Sequence, residues 1–153
     1  MIYKGELRFN CCMSTLILID KQHPLDGFGK PVIRIASNFG GGVSDWGDIC
    51  GAASGAAMAI GLIYGADGEE DLKTYEDKRA REKAITLEFL RSFTDKWGRI
   101  DCRGLLGCEG CTPEARFKWY EELKAKGETH CDEYVEWSTE KVLTIINKQS
   151  TLK

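Results

Sequence analysis

The sequence has no surplus of positive charge. Its 21 lysines and arginines face 24 aspartates and glutamates, a net charge of −3, and the cations are spread along the chain. That distribution lacks the electrostatic footprint a nucleic acid or an anionic membrane surface requires, so neither is an expected partner. Histidine is scarce, with only His23 and His130. His130 adjoins Cys131 on a predicted helix, where consecutive side chains diverge, so a direct Cys–His nucleophile is not expected. No apolar run reaches membrane length: the uncharged segment 49–64 has 16 residues, short of the roughly 20 that span a bilayer. A secretory leader is not expected either, because Lys4, Glu6, Arg8 and Asn10 break up the first residues. The expected compartment is therefore the reducing cytoplasm. No Gly-Lys-Ser/Thr follows Gly40-Gly41-Gly42, which removes the phosphate-loop reading.

What remains is mostly helical in pattern. Residues 6–20 carry a helical rhythm. Pro31 suits a helix start, and Val32, Ile35, Ala36 and Phe39 follow at helical spacing. The alternation Val32–Ile35 also fits a short strand, but no second strand signal lies nearby. Ser44 or Asp45 is the expected cap of the next helix, the uncharged one ending at Gly65. A long helix is expected over 74–97, with Ala80, Ala84, Leu87, Leu90, Phe93 and Trp97 as its buried stripe and Gly98 as its stop. Thr112-Pro113 predicts a helix to about residue 125 with Trp119 and Leu123 inward. Thr129 predicts a last helix to about residue 148 with Val135, Val142 and Ile146 inward. With neither repeat nor linker, the expectation is one all-α domain over 1–153, with five to six helices around a buried small-residue helix.

Two sets of glycines are candidate cofactor contacts. Gly40, Gly41 and Gly42 allow a tight turn over a bound group. Gly51, Gly55 and Ala59 fall four apart and give a smooth helix face, which admits either another helix or a cofactor.

Cysteine is the abundant reactive residue: Cys11, Cys12, Cys50, Cys102, Cys108, Cys111 and Cys131. Seven is odd, so disulfides within the chain cannot pair all of them, and a reducing compartment favours metal ligands or redox thiols over staples. Only Cys108-Glu-Gly-Cys111 has the close pairing typical of zinc knuckles. That pair is open to three readings: metal or cluster ligands, a dithiol switch, or idle thiols in a loop. A thioredoxin-type site needs strands around it and a helix opened by the first cysteine, which this turn lacks. Cys131 follows the cap Thr129, Cys102 follows Asp101 and precedes Arg103, and Cys50 precedes the small-residue helix. Each position favours a thiolate through free N–H groups or a neighbouring cation. Cys12 points about 100° away from Cys11 if both lie on a helix.

Taken together these pieces resemble the small redox-active family named for its pattern C_GCAxxG_C_C. The matching residues are Asn10-Cys11, the run from Phe39 through Gly42, Cys50-Gly-Ala-Ala-Ser-Gly55, Ile60-Gly61-Leu62, Tyr64-Gly65, Cys102-Arg103 with Leu105-Leu106-Gly107, and His130-Cys131. They span nearly the whole chain in the right order, although the central motif reads Cys-Gly-Ala where the family name has Gly-Cys-Ala. The resemblance implies that Cys11, Cys50, Cys102 and Cys131 are the shared set. A related domain in split-Soret-type cytochromes is associated with an iron–sulfur centre beside haem. Covalent haem does not carry over, because Cys111 is followed by Thr112 and not by the His of C-x-x-C-H. Cys12, Cys108 and Cys111 lie outside the family minimum.

The expectation is thus an electron-transfer protein holding a cysteine-ligated iron–sulfur cluster. Cys11, Cys50, Cys102 and Cys131 are its ligands, and Cys108 and Cys111 are further candidates. The alternative is a cluster-free thiol–disulfide or zinc-thiolate protein. The expected partner is a redox protein, and a homodimer stays open.

Overall fold

The structure, a computed structural model, describes residues 1–151. The chain opens with a short antiparallel hairpin, β1 (Tyr3–Lys4) and β2 (Leu7–Arg8), turned by Gly5 at φ 59°. The first helix therefore begins at Cys11 and not at Glu6. Asn10 starts it, with its side-chain oxygen accepting the Met13 N–H at 2.9 Å, and α1 runs Cys11–Gln22. Helix α2 (Lys30–Ala36) carries Pro31 in its first turn and runs into a 3₁₀ turn over Ser37–Phe39. The Val32–Ile35 alternation is thus helical.

Residues 40–50 form no helix. Ser44 and Asp45 do not cap α3 (Gly51–Tyr64), which Cys50 precedes in the cap position. Helix α4 (Leu72–Trp97) is capped by Asp71, which accepts the Thr74 N–H at 3.1 Å, and is closed by Gly98 in the left-handed region. Asp101 caps α5 (Cys102–Leu105). Thr112 caps α6 (Pro113–Lys126), and Gly127 ends it. Cys131 opens α7 (Cys131–Thr151). The described residues thus hold seven α-helices. The one beyond the expected six is α5, too short at four residues to show a helical period in sequence.

Helix α3 is the centre of the packing and meets α1, α4 and α7. Ala52, Ala53, Ala56, Ala59 and Ile60 on it are buried. Helix α4 runs antiparallel to α7, joined by an aromatic cluster: Phe93 and Trp137 meet edge-on with centroids 5.7 Å apart, Trp97 and Tyr134 at 4.9 Å. The buried residues of α4 are Ile85, Phe89 and Phe93, with Leu90 and Trp97 packed half-buried against the core, so the second half of the expected stripe is inward and the first half is not. Ala80, Ala84 and Leu87 are exposed, and Ile85 and Phe89 are buried in their place. Val135, Val142 and Ile146 are inward as expected. On α6 the fully inward residues are Arg116 and Tyr120, with Trp119 and Leu123 only half-buried. Among the described residues no helix is long and apolar enough to cross a membrane.

The smooth face of α3 is used for helix packing. A Cβ on Gly51 would lie 2.3 Å from the Cys11 sulfur and 2.6 Å from the Phe39 carbonyl oxygen. One on Gly55 would lie 2.5 Å from the Cys12 carbonyl oxygen and 3.1 Å from Thr15 Cβ. Because backbone oxygen cannot move aside as a side-chain tip can, even one methyl must push α1 off α3. Gly55→Ala is expected to destabilise the protein by about 1–3 kcal/mol through overpacking, despite the better helix propensity of alanine. Chemical denaturation measures this, and an unchanged or raised midpoint would show that α1 and α3 can separate freely.

Candidate metal-thiolate site

Four cysteines from distant parts of the chain line one cavity of about 500 Å³: Cys11, Cys50, Cys102 and Cys131. Each stands at a helix start: Cys11, Cys102 and Cys131 are first residues of α1, α5 and α7, and Cys50 is the cap residue of α3. The α1–α3 contact at Gly51 sets Cys11 beside Cys50. Cys50 and Cys102 are drawn together by a backbone clip. The Cys50 N–H donates to the Ile100 carbonyl at 2.8 Å, and the Cys102 N–H donates to the Asp48 carbonyl at 2.7 Å. Cys131 arrives on α7, whose packing against α1 and α3 fixes its start at the same end.

The rest of the wall is polar and aromatic. Arg116 on α6 is 2% exposed. Its guanidinium donates to the Cys102 sulfur at 3.3 Å and to the Asp45 carbonyl at 3.1 Å, and pairs with the Asp45 carboxylate. Arg8 donates to the Tyr120 hydroxyl and lies over its ring at 5.4 Å. Tyr134 completes the far side, with its hydroxyl 3.5 Å from the Leu105 carbonyl.

Asp45 reaches Arg116 through an unusual backbone. Gly41, Gly42, Val43, Ser44 and Asp45 all have positive φ, between 47° and 70°, a short left-handed turn. For a β-branched residue such as Val43 this is a strained state. The turn is tied by Ser44 N–H to Asn38 carbonyl at 2.7 Å and Gly47 N–H to Gly41 carbonyl at 3.0 Å. At its start Gly41 leaves room for Asp45 and Arg116, since a Cβ there would meet both side chains within 2.9 Å.

The candidate glycines divide. Gly40 and Gly41 line the cavity. Gly42 instead abuts the Asp48 backbone, and Gly51 and Gly55 serve the α1–α3 contact. Cys12 faces the core, its sulfur 3.7 Å from that of Met58. Cys108 and Cys111 are not brought to the cavity; they are joined to each other in a disulfide on the α5–α6 turn. Arg116 looks like an ordinary surface charge in the sequence, its only hint being a helix face shared with Tyr120, four residues on; Asp45 reads there as a helix cap and not as a partner of Arg116.

The thiols are less acidic than their helix-start positions suggest. Burial, with Arg116 opposing it, pushes Cys102 up to about 11. Burial and the neighbouring Cys11 and Cys102 push Cys131 up to about 12. Cys50 is raised well above the usual thiol value, chiefly by burial, although the Ala52 and Ala53 N–H groups act the other way. Desolvation therefore outweighs the helix ends here, against the expectation that position alone would favour thiolates.

One family model, described as "Putative redox-active protein (C_GCAxxG_C_C)", matches residues 9–145. No curated protein and no solved structure matches the chain.

The raised values fix the sign of a pH effect. In the metal-free protein with reduced cavity thiols, the unfolded chain gives up these protons near the ordinary value of 9.0 and the folded chain only near 11 to 12. Folding stability is thus fully present below pH 9 and is lost as pH rises toward 12, by about 1.4 kcal/mol per unit for each thiol. Urea unfolding between pH 8 and 10 should show this fall, with a shallower slope in Cys131→Ala. Equal slopes in parent and variant would contradict the burial argument.

Proposed function

Because the chain belongs to the C_GCAxxG_C_C family, whose description is redox-active, we propose that it is an electron-transfer protein whose cavity holds an iron–sulfur cluster. The observation that carries this reading is the meeting of Cys11, Cys50, Cys102 and Cys131, each from a different helix start, around one cavity. Sulfur is the soft donor that iron–sulfur clusters use. Among the described residues no three cysteine, histidine or carboxylate side chains converge tightly enough for a single ion. The four cysteines line a volume of about 500 Å³, which has room for a group of several atoms.

The cluster supplies the capacity to take up and release one electron without large rearrangement. The protein's own residues do the rest. The cysteines lose their protons on binding, so assembly overcomes the burial that keeps the empty site neutral. Arg116 stays fixed by Asp45 and places a positive hydrogen-bond donor on Cys102, which balances thiolate charge where water cannot. The starts of α1, α3 and α7 add positive partial charge from the same side. Leu105 and Tyr134 add apolar and aromatic wall to the cavity, and the electron passes to a partner redox protein.

The test is a serine series purified without oxygen, with iron and acid-labile sulfide counted per chain. Serine at Cys11, Cys50, Cys102 or Cys131 should each lower the content by about tenfold or more, since even outer-sphere changes cost 10–100-fold in metal affinity. Serine at Cys12 should leave it unchanged. Full content in Cys50→Ser or Cys131→Ser would refute the ligand set.

A further inference from the structure

The Cys108–Cys111 pair does not line the thiol cavity, although it packs in one apolar cluster with Cys102 and Cys131, and it has no part in the reading just given. It lies on the turn between α5 and α6, facing an open surface hollow of about 460 Å³ that Lys118 and Trp119 border. The turn does not need the bond to hold its shape. The Cys108 N–H donates to the Arg103 carbonyl at 2.8 Å, and the Gly107 N–H donates to the Gly104 carbonyl at 2.9 Å. A disulfide with a sequence separation of three closes the kind of small loop in which cross-linking restrains the unfolded chain least. A staple here would therefore add little.

The two sulfurs differ in access. Cys108 is 7% exposed and packs in an apolar cluster with Cys102, Leu106 and Tyr120, whereas Cys111 is half-buried at the edge of that cluster. Exposed Lys118 offers a cation at the hollow, while Glu109 is engaged in an ion pair with Arg99 and Glu122 borders the other side. An approaching thiolate meets Cys111 first.

We propose that Cys108–Cys111 is a second redox site, a thiol–disulfide exchange centre that accepts electrons from a dithiol reductant. One thiolate of the dithiol attacks the Cys111 sulfur, the Cys108–Cys111 bond breaks, and Cys108 leaves as a thiolate that takes a proton from solvent. The second thiol of the reductant, as thiolate, attacks its own sulfur in the mixed disulfide and releases Cys111, which is protonated in turn. Two electrons pass to the pair, and the dithiol leaves as a disulfide. A monothiol is a poor substitute. With the two cysteines held at a Cα–Cα distance of 5.6 Å, Cys108 attacks the mixed disulfide intramolecularly and expels it.

The test compares the anaerobically purified full-length protein with Cys108→Ser and Cys111→Ser. In the parent under native conditions, alkylation should label Cys108 and Cys111 after dithiothreitol and leave both unlabelled without it, as peptide mapping by mass reads out. Oxidised glutathione should then form a mixed disulfide with Cys108→Ser, which leaves Cys111 free, at least about tenfold faster than with Cys111→Ser. Because the bond adds little to the fold, both variants should keep the parent's circular dichroism, and that spectrum is read alongside. Reduction only after denaturation, free thiols at both positions in the air-oxidised parent, or equal or reversed rates in two folded variants would overturn the proposal.

Discussion

Gly51 has no space for a side chain. The Cys11 sulfur and the Phe39 carbonyl oxygen occupy the place where its Cβ would be, and one turn on, Gly55 is pressed against the Cys12 backbone in the same way. This contact lets α1 and α3 run side by side with their starts level. Everything at the cavity depends on that alignment. It brings Cys11 to Cys50, and α7 packs against the same pair of helices so that Cys131 faces them. The backbone clip from Asp48 to Cys102 then adds the fourth sulfur. Small residues therefore do more than fill a core here: they set the separation of reactive groups.

The electrostatics of the cavity set two large effects against each other. Helix starts favour negative charge, and burial opposes it. In the protein alone burial dominates, so Cys102 and Cys131 stay protonated well past neutral pH. Arg116 is the local counterweight at Cys102, and Arg8 at Cys131. Arg116 is itself buried, and it is held by the left-handed turn that carries Asp45.

Much of this was legible in the sequence wherever the signal is local. The cap Thr112 and the stop Gly98 act through one turn of backbone, and the helices they bound, α6 and α4, were anticipated. The shared cysteines could be grouped only through the family pattern, since spacing says nothing about side chains brought together by tertiary packing. The misses have physical causes. On α4 the apolar pattern places Phe93, Leu90 and Trp97 inward correctly, but packing on α3 and α7 buries Ile85 and Phe89 and leaves Ala80, Ala84 and Leu87 in solvent. The left-handed run extends past Gly41 and Gly42 through Val43 and Ser44, residue types that do not announce positive φ. Arg116 carries a charge that reads as surface until its partners at Asp45 and Cys102 are placed. For Cys108 and Cys111 the close spacing marks a pair, yet it cannot say whether the pair joins the other cysteines or closes on itself.

The central claim is that the meeting of four helix-start cysteines forms an iron–sulfur site. Iron-edge X-ray absorption on protein purified without oxygen measures this most directly, because it reports the atoms around the metal. The account predicts iron surrounded by sulfur alone, with a second iron in the next shell. Iron coordinated by nitrogen or oxygen, zinc in place of iron, or no metal above trace would contradict it.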